Sequence, residues 1–191
     1  MARPITEDDL EIAIESAVGN VRVWLVLAAW CGLRAKEIAL LRAENIRLRD
    51  DPPYLLVASD ATKGRRERIV PLPPFVVDEL TRFGLPFRGL CWRAGHGQPV
   101  TPNFVSLVCN RYLHELGIES PLHKLRTRFG TQVHRAVGNI RVTQELLGHT
   151  SPATTVIYTE VTDLDKYRAV SKLRAPEVSA DAPTIPIRST T

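Results

Sequence analysis

Residues 21–31, VRVWLVLAAWC, carry a single charged side chain and are apolar nearly all round. A helix of that composition offers no face to water, so other helices must enclose it, and it is expected at the centre of the core. The apolar run, residues 23–32, is too short to span a bilayer, and the polar opening MARPITEDDLE has no signal-peptide organisation. A chain of 191 residues with 44% hydrophobic content can build one sizeable core around such a helix, which favours one domain.

The elements expected around this helix follow from local signals. Thr6, followed by Glu7, Asp8 and Asp9, reads as an N-cap with an acidic first turn, opening a helix that runs towards Val18 and ends near Gly19-Asn20. After Gly32, the segment LRAKEIALLRAENIRL supplies Leu33, Ile38, Leu41 and Ile46 to a buried side. The periodicity then becomes extended: residues 45–48, 54–59 and 68–72 predict three short strands, the last two joined by a hairpin turn over residues 60–67. Lys63, Arg65, Arg66 and Arg68 lie around its tip. Pro74 opens a helix to Phe83, the Gly- and Pro-rich residues 84–99 read as a long surface connection, and Thr101-Pro102 opens a helix to Leu116. Further helices are expected over residues 123–136, 139–147 and 164–173, and residues 175–191 read as a flexible tail. The fold class is thus mainly α with a small antiparallel three-stranded sheet.

The formal net charge is only +4, yet residues 120–144 hold no Asp or Glu while Lys124, Arg126, Arg128, Arg135 and Arg141 fall inside them. Such a surface suits phosphate, and equally fits a solvated helix face. Cys31, Cys91 and Cys109 lack CxxC or Cys/His ligand spacing, so neither a disulfide framework nor a zinc site is suggested. They read as reduced packing residues of a cytosolic protein.

Residues 123–158 concentrate the chemistry. On a helix, His123, Arg126, Gly130 and His134 share one arc beside the apolar arc of Leu125, Phe129, Val133 and Ala136, and Gly130 leaves room next to His123 and Arg126. His149 falls in the turn after Gly148, and Tyr158 two turns into the helix that Ser151-Pro152 begins. Arg34 follows the Gly32 turn, three residues before Glu37, where an i, i+3 pair can fix its guanidinium. Tyrosine, arginines, histidines and a lysine without clustered carboxylates suit phosphoryl transfer to a side-chain hydroxyl. Arg34 and Arg126 can bind non-bridging phosphate oxygens through planar forks, and His149 can add a third donor. Tyr158 can attack phosphorus; leaving its phenol with a pKa near 10 would cost roughly 4 kcal/mol at neutral pH, so cations or a base must assist. His123 suits the base and Lys63 the acid for the departing sugar oxygen.

The ordered set Arg, Lys, HxxR, GH, Tyr, carried by CGLRAKEIALL, TKGRRERIVPLP, HKLRTRFGT, LGHTSPATT and IYTEV, strongly resembles the tyrosine recombinase family of phage-integrase type. The likeness covers roughly residues 6–174. It implies the integrase catalytic-domain fold over residues 1–174, with no metal and no cofactor. It further implies site-specific DNA recombination, the integration or excision of a phage or mobile element, through a 3′-phosphotyrosyl intermediate and a free 5′-hydroxyl. By the same resemblance Arg34 and Arg126 bind the phosphate, Lys63 is the general acid, His123 assists proton transfer, His149 donates to the phosphate and Tyr158 is the nucleophile. The partners implied are double-stranded DNA attachment or core sites, a homotetramer joined through residues 164–173 or the tail, and accessory DNA-bending or directionality proteins. The setting implied is the cytoplasm or nucleoid of a bacterial host, without membrane contact.

One departure stands out: family members usually carry a helical core-binding domain before the catalytic domain, and here only a few residues precede the first expected helix. An excised catalytic fragment is the favoured explanation, ahead of a protein that borrows the other half of the clamp. Two other readings of the site stay open: type IB topoisomerase-like relaxation, and a non-catalytic DNA-binding regulator that keeps the fold. A metal-dependent nuclease would need clustered carboxylates, and the acids sit mostly apart from the proposed site.

Overall fold

The computed structural model describes residues 5–58, 67–94, 97–148 and 163–175. In chain order these form α1 (Glu7–Ser16), α2 (Gly19–Trp30), α3 (Ala35–Ala39), a 3-10 turn (Ala43–Asn45), β1 (Ile46–Arg47), β2 (Tyr54–Val57), β3 (Arg68–Pro71), α4 (Pro74–Phe83), α5 (Pro102–Glu115), α6 (Leu122–Val137), α7 (Ile140–Leu147) and α8 (Asp163–Ser171).

The apolar helix is enclosed as its composition requires. In α2, Val21 and every residue from Val23 to Trp30 are buried, and α1, α3, α4, α5 and α6 all pack against it. Each Val or Leu side chain so enclosed contributes about 1.5–3 kcal/mol relative to exposure. Arg22, its one charged residue, is held by a bidentate pair with Glu79 of α4, 2.8 Å for each contact, and donates to the Ile14 carbonyl of α1. Three helices are thereby tied at one polar point.

The α1–α2 boundary differs from expectation. Thr6 caps α1 through a capping box with Asp9, but α1 ends at Ser16, and Gly19-Asn20 begin α2. Ala17 and Val18 are extended and make the break themselves. A single glycine with φ +55 can open a helix as readily as close one.

The sheet has order β1-β2-β3, antiparallel throughout, with Leu55 opposite both Ile46 and Val70. Ile46, Leu55, Val57 and Val70 turn to the core. The connection after α4 is more than surface: Trp92 is buried, donates from Nε1 to the Ile38 carbonyl at 2.6 Å, and meets Trp24 edge-on at 6.3 Å. Its Gly and Pro content concealed one aromatic anchor.

The last described helix, α8, packs on β3, α6 and α7 of its own chain, with Ala169 and Val170 fully buried and Lys166 3.5 Å from Glu145 of α7. Trp30 Nε1 also donates to the Arg174 carbonyl at 2.9 Å. Within residues 164–173, Ala169 and Val170 are thus committed to the chain's own core, while Leu164 is 54% exposed. The tail, residues 176–191, lies outside the described residues, as do the hairpin tip and residues 149–162.

Candidate active site

Gly32 ends α2 with φ +63, and the turn it makes sets Arg34 at the N-cap of α3. Glu37, one turn into α3, reaches back: its Oε2 accepts from the Arg34 backbone N–H at 2.8 Å and its Oε1 from Arg34 Nη1 at 3.0 Å. The i, i+3 pair expected from sequence is formed, and the same carboxylate serves as the cap.

Arg126 arrives from α6. It lies on the side of that helix next to the buried Leu125, Phe129 and Val133, and its guanidinium donates to the carbonyls of Gly32 and Leu147 while Nη1 stands 3.6 Å from Glu37 Oε2. Arg126 thus links the α2–α3 turn to the end of α7. Gly130 was expected to leave space beside His123 and Arg126. The glycine lines the cleft together with His123 and Arg126, and a Cβ there would lie 2.9 Å from Leu147 Cδ1, so it also lets α7 close on α6.

Arg68 completes the cluster. Its Nη1 and Nη2 donate to the two oxygens of Glu37, 2.9 Å each, and its Nε to the Leu146 carbonyl at 2.8 Å. By sequence it lies with Lys63, Arg65 and Arg66 around the hairpin tip, yet its side chain is only 10% exposed. A signal was available: residues 68, 70 and 72 share one face of a pleated strand, and Val70 and Leu72 are core residues.

Glu37 is thus surrounded by three guanidiniums. Burial pushes its carboxyl pKa up, but the Arg68 hydrogen bonds and charge, the Arg34 N–H and the Arg126 charge outweigh this and bring it down to about 2. Among the described residues, Arg34, Arg68 and Arg126 all face this one carboxylate, beside the cleft.

That cleft has a volume of about 820 Å³ and is lined by Arg34, His123, Arg126, Asn110, Ile140 and Gln144 among others. His123 is exposed in the first turn of α6, whose start is held by Leu122 N–H donating to Asn110 Oδ1 at 2.8 Å. The structure therefore brings Arg34, His123 and Arg126 together. Lys63, His149 and Tyr158 lie outside the described residues. The chain is described up to Gly148, which ends α7 at φ +62, immediately before His149.

The cationic stretch of residues 120–144 is partly neutralised from outside itself. Arg128 forms a bidentate pair with Glu7 and stands over the Trp30 ring, 5.1 Å from its centroid, and Arg141 pairs with Glu145 at 3.2 Å. Neither charge is as open to phosphate as the sequence alone suggested.

The fold is thus a mainly helical domain with a small antiparallel sheet, in which two arginines and a histidine from two distant segments line one cleft. The chain belongs to the phage integrase family, whose sequence profile matches residues 6–164. It is 30% identical over 175 residues to a tyrosine recombinase of Pseudothermotoga lettingae, covering 86% of this chain and 58% of that protein. It is 28% identical over 185 residues to tyrosine recombinase XerA of Pyrococcus horikoshii, covering 93% of this chain and 63% of the relative. Among solved structures, the integrase of mycobacterium phage Brujita superposes with a TM-score of 0.75 at 26% identity, over 94% of this chain and 61% of that one. The chain therefore spans about three fifths of the length of these relatives.

Proposed function

We propose that the chain is the catalytic domain, residues 1–174, of a site-specific tyrosine recombinase that cuts and rejoins DNA through a phosphotyrosine. The observation that carries this reading is the convergence of Arg34, Arg126 and His123 on one cleft, in a member of the phage integrase family.

In this reading Arg34 and Arg126 hold the non-bridging oxygens of the scissile phosphate and offset the charge that develops on them. Tyr158 Oη attacks phosphorus and His123 assists removal of its proton. The phosphorus–O5′ bond breaks, Lys63 delivers a proton to O5′, and His149 donates to the phosphate. A 5′-hydroxyl from a partner strand reverses the step, so the number of phosphodiester bonds is conserved and no external energy source is required.

The partners proposed are double-stranded attachment or core sites, bound by a tetramer in which residues 164–173 or the tail dock on a neighbour, together with accessory DNA-bending or directionality proteins. The proposed setting is the cytoplasm of a bacterial host. None of the described helices is long and apolar enough to cross a membrane.

The test is incubation with a nicked attachment-site duplex that loses its 5′-hydroxyl fragment on cleavage. A covalent protein–DNA adduct mapped to Tyr158 and abolished by Tyr158→Phe is expected. No adduct with any candidate site would overturn the assignment for this chain.

A further inference from the structure

The strand-transfer reading leaves Arg68 without a role, yet the cluster is built around it. Its Nη1, Nη2 and Nε all donate to protein acceptors, the two oxygens of Glu37 and the Leu146 carbonyl. Gly148 lies against the same guanidinium: a Cβ there would fall 3.1 Å from Arg68 Nη1 and 3.2 Å from its Cδ. With its side chain 10% exposed and these donors turned inward, Arg68 is placed to act on its neighbours rather than on a ligand in the cleft.

The neighbours are the relevant ones. Glu37 also pairs with Arg34 at 3.0 Å and stands 3.6 Å from Arg126. If Arg68 were neutral, Arg34 and Arg126 would be the described cations left facing the carboxylate, and both forks would be drawn away from an incoming anion towards Glu37. The bond to Leu146 acts at a second place, fixing the last turn of α7, where the Leu147 carbonyl receives Arg126.

We propose that Arg68 is a positioning residue: by pairing with both oxygens of Glu37 and fixing the end of α7, it keeps Glu37 from drawing Arg34 and Arg126 away from a phosphate in the cleft. The chemistry of that phosphate rests on the strand-transfer reading; its binding does not.

Two measurements on the whole chain keep these separate. In the first, inorganic phosphate is titrated while the side-chain Nε–H resonances of Arg34 and Arg126 are followed by NMR. Wild type is expected to show saturable shifts at both, weakened several-fold in Arg68→Met. In the second, single-turnover cleavage of the nicked duplex is timed at saturating DNA. Arg68→Met is expected to be slower by on the order of 10²-fold, as for a misplacement of about 1 Å, with DNA affinity little changed. Adding Glu37→Gln to Arg68→Met is expected to recover part of the rate, because the excess carboxylate is then gone. A packing role alone would instead make the double variant worse.

Arg68→Lys keeps the charge without the fork and is expected to fall between wild type and Arg68→Met; it takes over both measurements if thermal melting shows Arg68→Met to be unfolded. Phosphate binding and cleavage equal to wild type in a folded Arg68 variant would overturn the proposal. Absence of an adduct with wild type would overturn the recombinase reading instead, and the phosphate titration would still decide the role of Arg68.

Discussion

Phe129 of α6 lies so close to Gly32 that a Cβ on the glycine would fall 2.4 Å from its Cδ1 and 2.8 Å from its Cε1. This approach lets α6 cross α2 near enough for Arg126 to donate to the Gly32 carbonyl, so one glycine sets both the packing and the site.

Gly32→Ala is therefore expected to be severe. Positive φ costs a β-carbon residue about 1–2 kcal/mol, and the clash with a buried ring adds about 1–3 kcal/mol. Urea unfolding should show a loss of roughly 2–5 kcal/mol. Stability within 1 kcal/mol of wild type would mean that Phe129 has room to retreat.

Glu37 makes stability depend on acid in a definite direction. Its carboxyl is lowered from 4.5 to about 2 in the folded chain, so its contribution is complete above 4.5 and is lost as pH falls towards 2. That difference corresponds to roughly 3 kcal/mol. Glu37→Gln should be less stable than wild type at pH 7 and show a flatter decline between pH 5 and 3. Parallel urea midpoints across that range would contradict the assignment.

Most elements could be read from the chain because their signals are local. The Thr6 cap, Pro74 and Pro102 at helix starts and Gly148 at a helix end all act within a turn of their own position. The Arg34–Glu37 pair was also legible, from its i, i+3 spacing. Arg68 was not, because its meaning depends on Glu37, 31 residues away, and on the end of α7, 78 residues away. Trp92 was hidden for the same reason, its partner being the Ile38 carbonyl. A tertiary acceptor leaves no local trace beyond the pleat that turned Arg68 inward.

The buried pair Arg22–Glu79 supports the core rather than the site. Glu79 is 4% exposed, and burial opposes its ionisation, but the Arg22 hydrogen bonds and charge, with Arg82, prevail and hold its carboxyl below the usual range. Glu79→Ala strands the Arg22 charge and should cost about 3–5 kcal/mol by chemical denaturation. Replacing both, with Arg22→Met and Glu79→Leu, should cost less than the single change. The opposite order would show that the pair contributes more than the shape it fills.

DNA binding by this chain should be weak and strongly dependent on salt. If about four to six phosphates are neutralised, log K should fall against log salt with a slope of roughly −4 to −5. Fluorescence anisotropy with an attachment-site duplex measures this directly; nanomolar affinity insensitive to salt would point to base contacts carrying the complex.

Arg34 and Arg126 should separate when stability and binding are measured together. Arg126 is 11% exposed and satisfies two backbone carbonyls, so Arg126→Ala leaves Gly32 and Leu147 without that donor and Glu37 with less counter-charge. Each buried acceptor left unpaired costs about 1–3 kcal/mol, giving a total of roughly 2–6 kcal/mol for the two. Arg34 is 27% exposed, and the side-chain bond to Glu37 given above joins two groups of one short helix start. Its loss should cost about 1 kcal/mol, since partly exposed pairs are weak. Both variants should lose cleavage, but only Arg126→Ala should also lower the melting temperature by several degrees. Equal melting temperatures would place the two arginines in the same structural role, contrary to the hydrogen bonds that distinguish them.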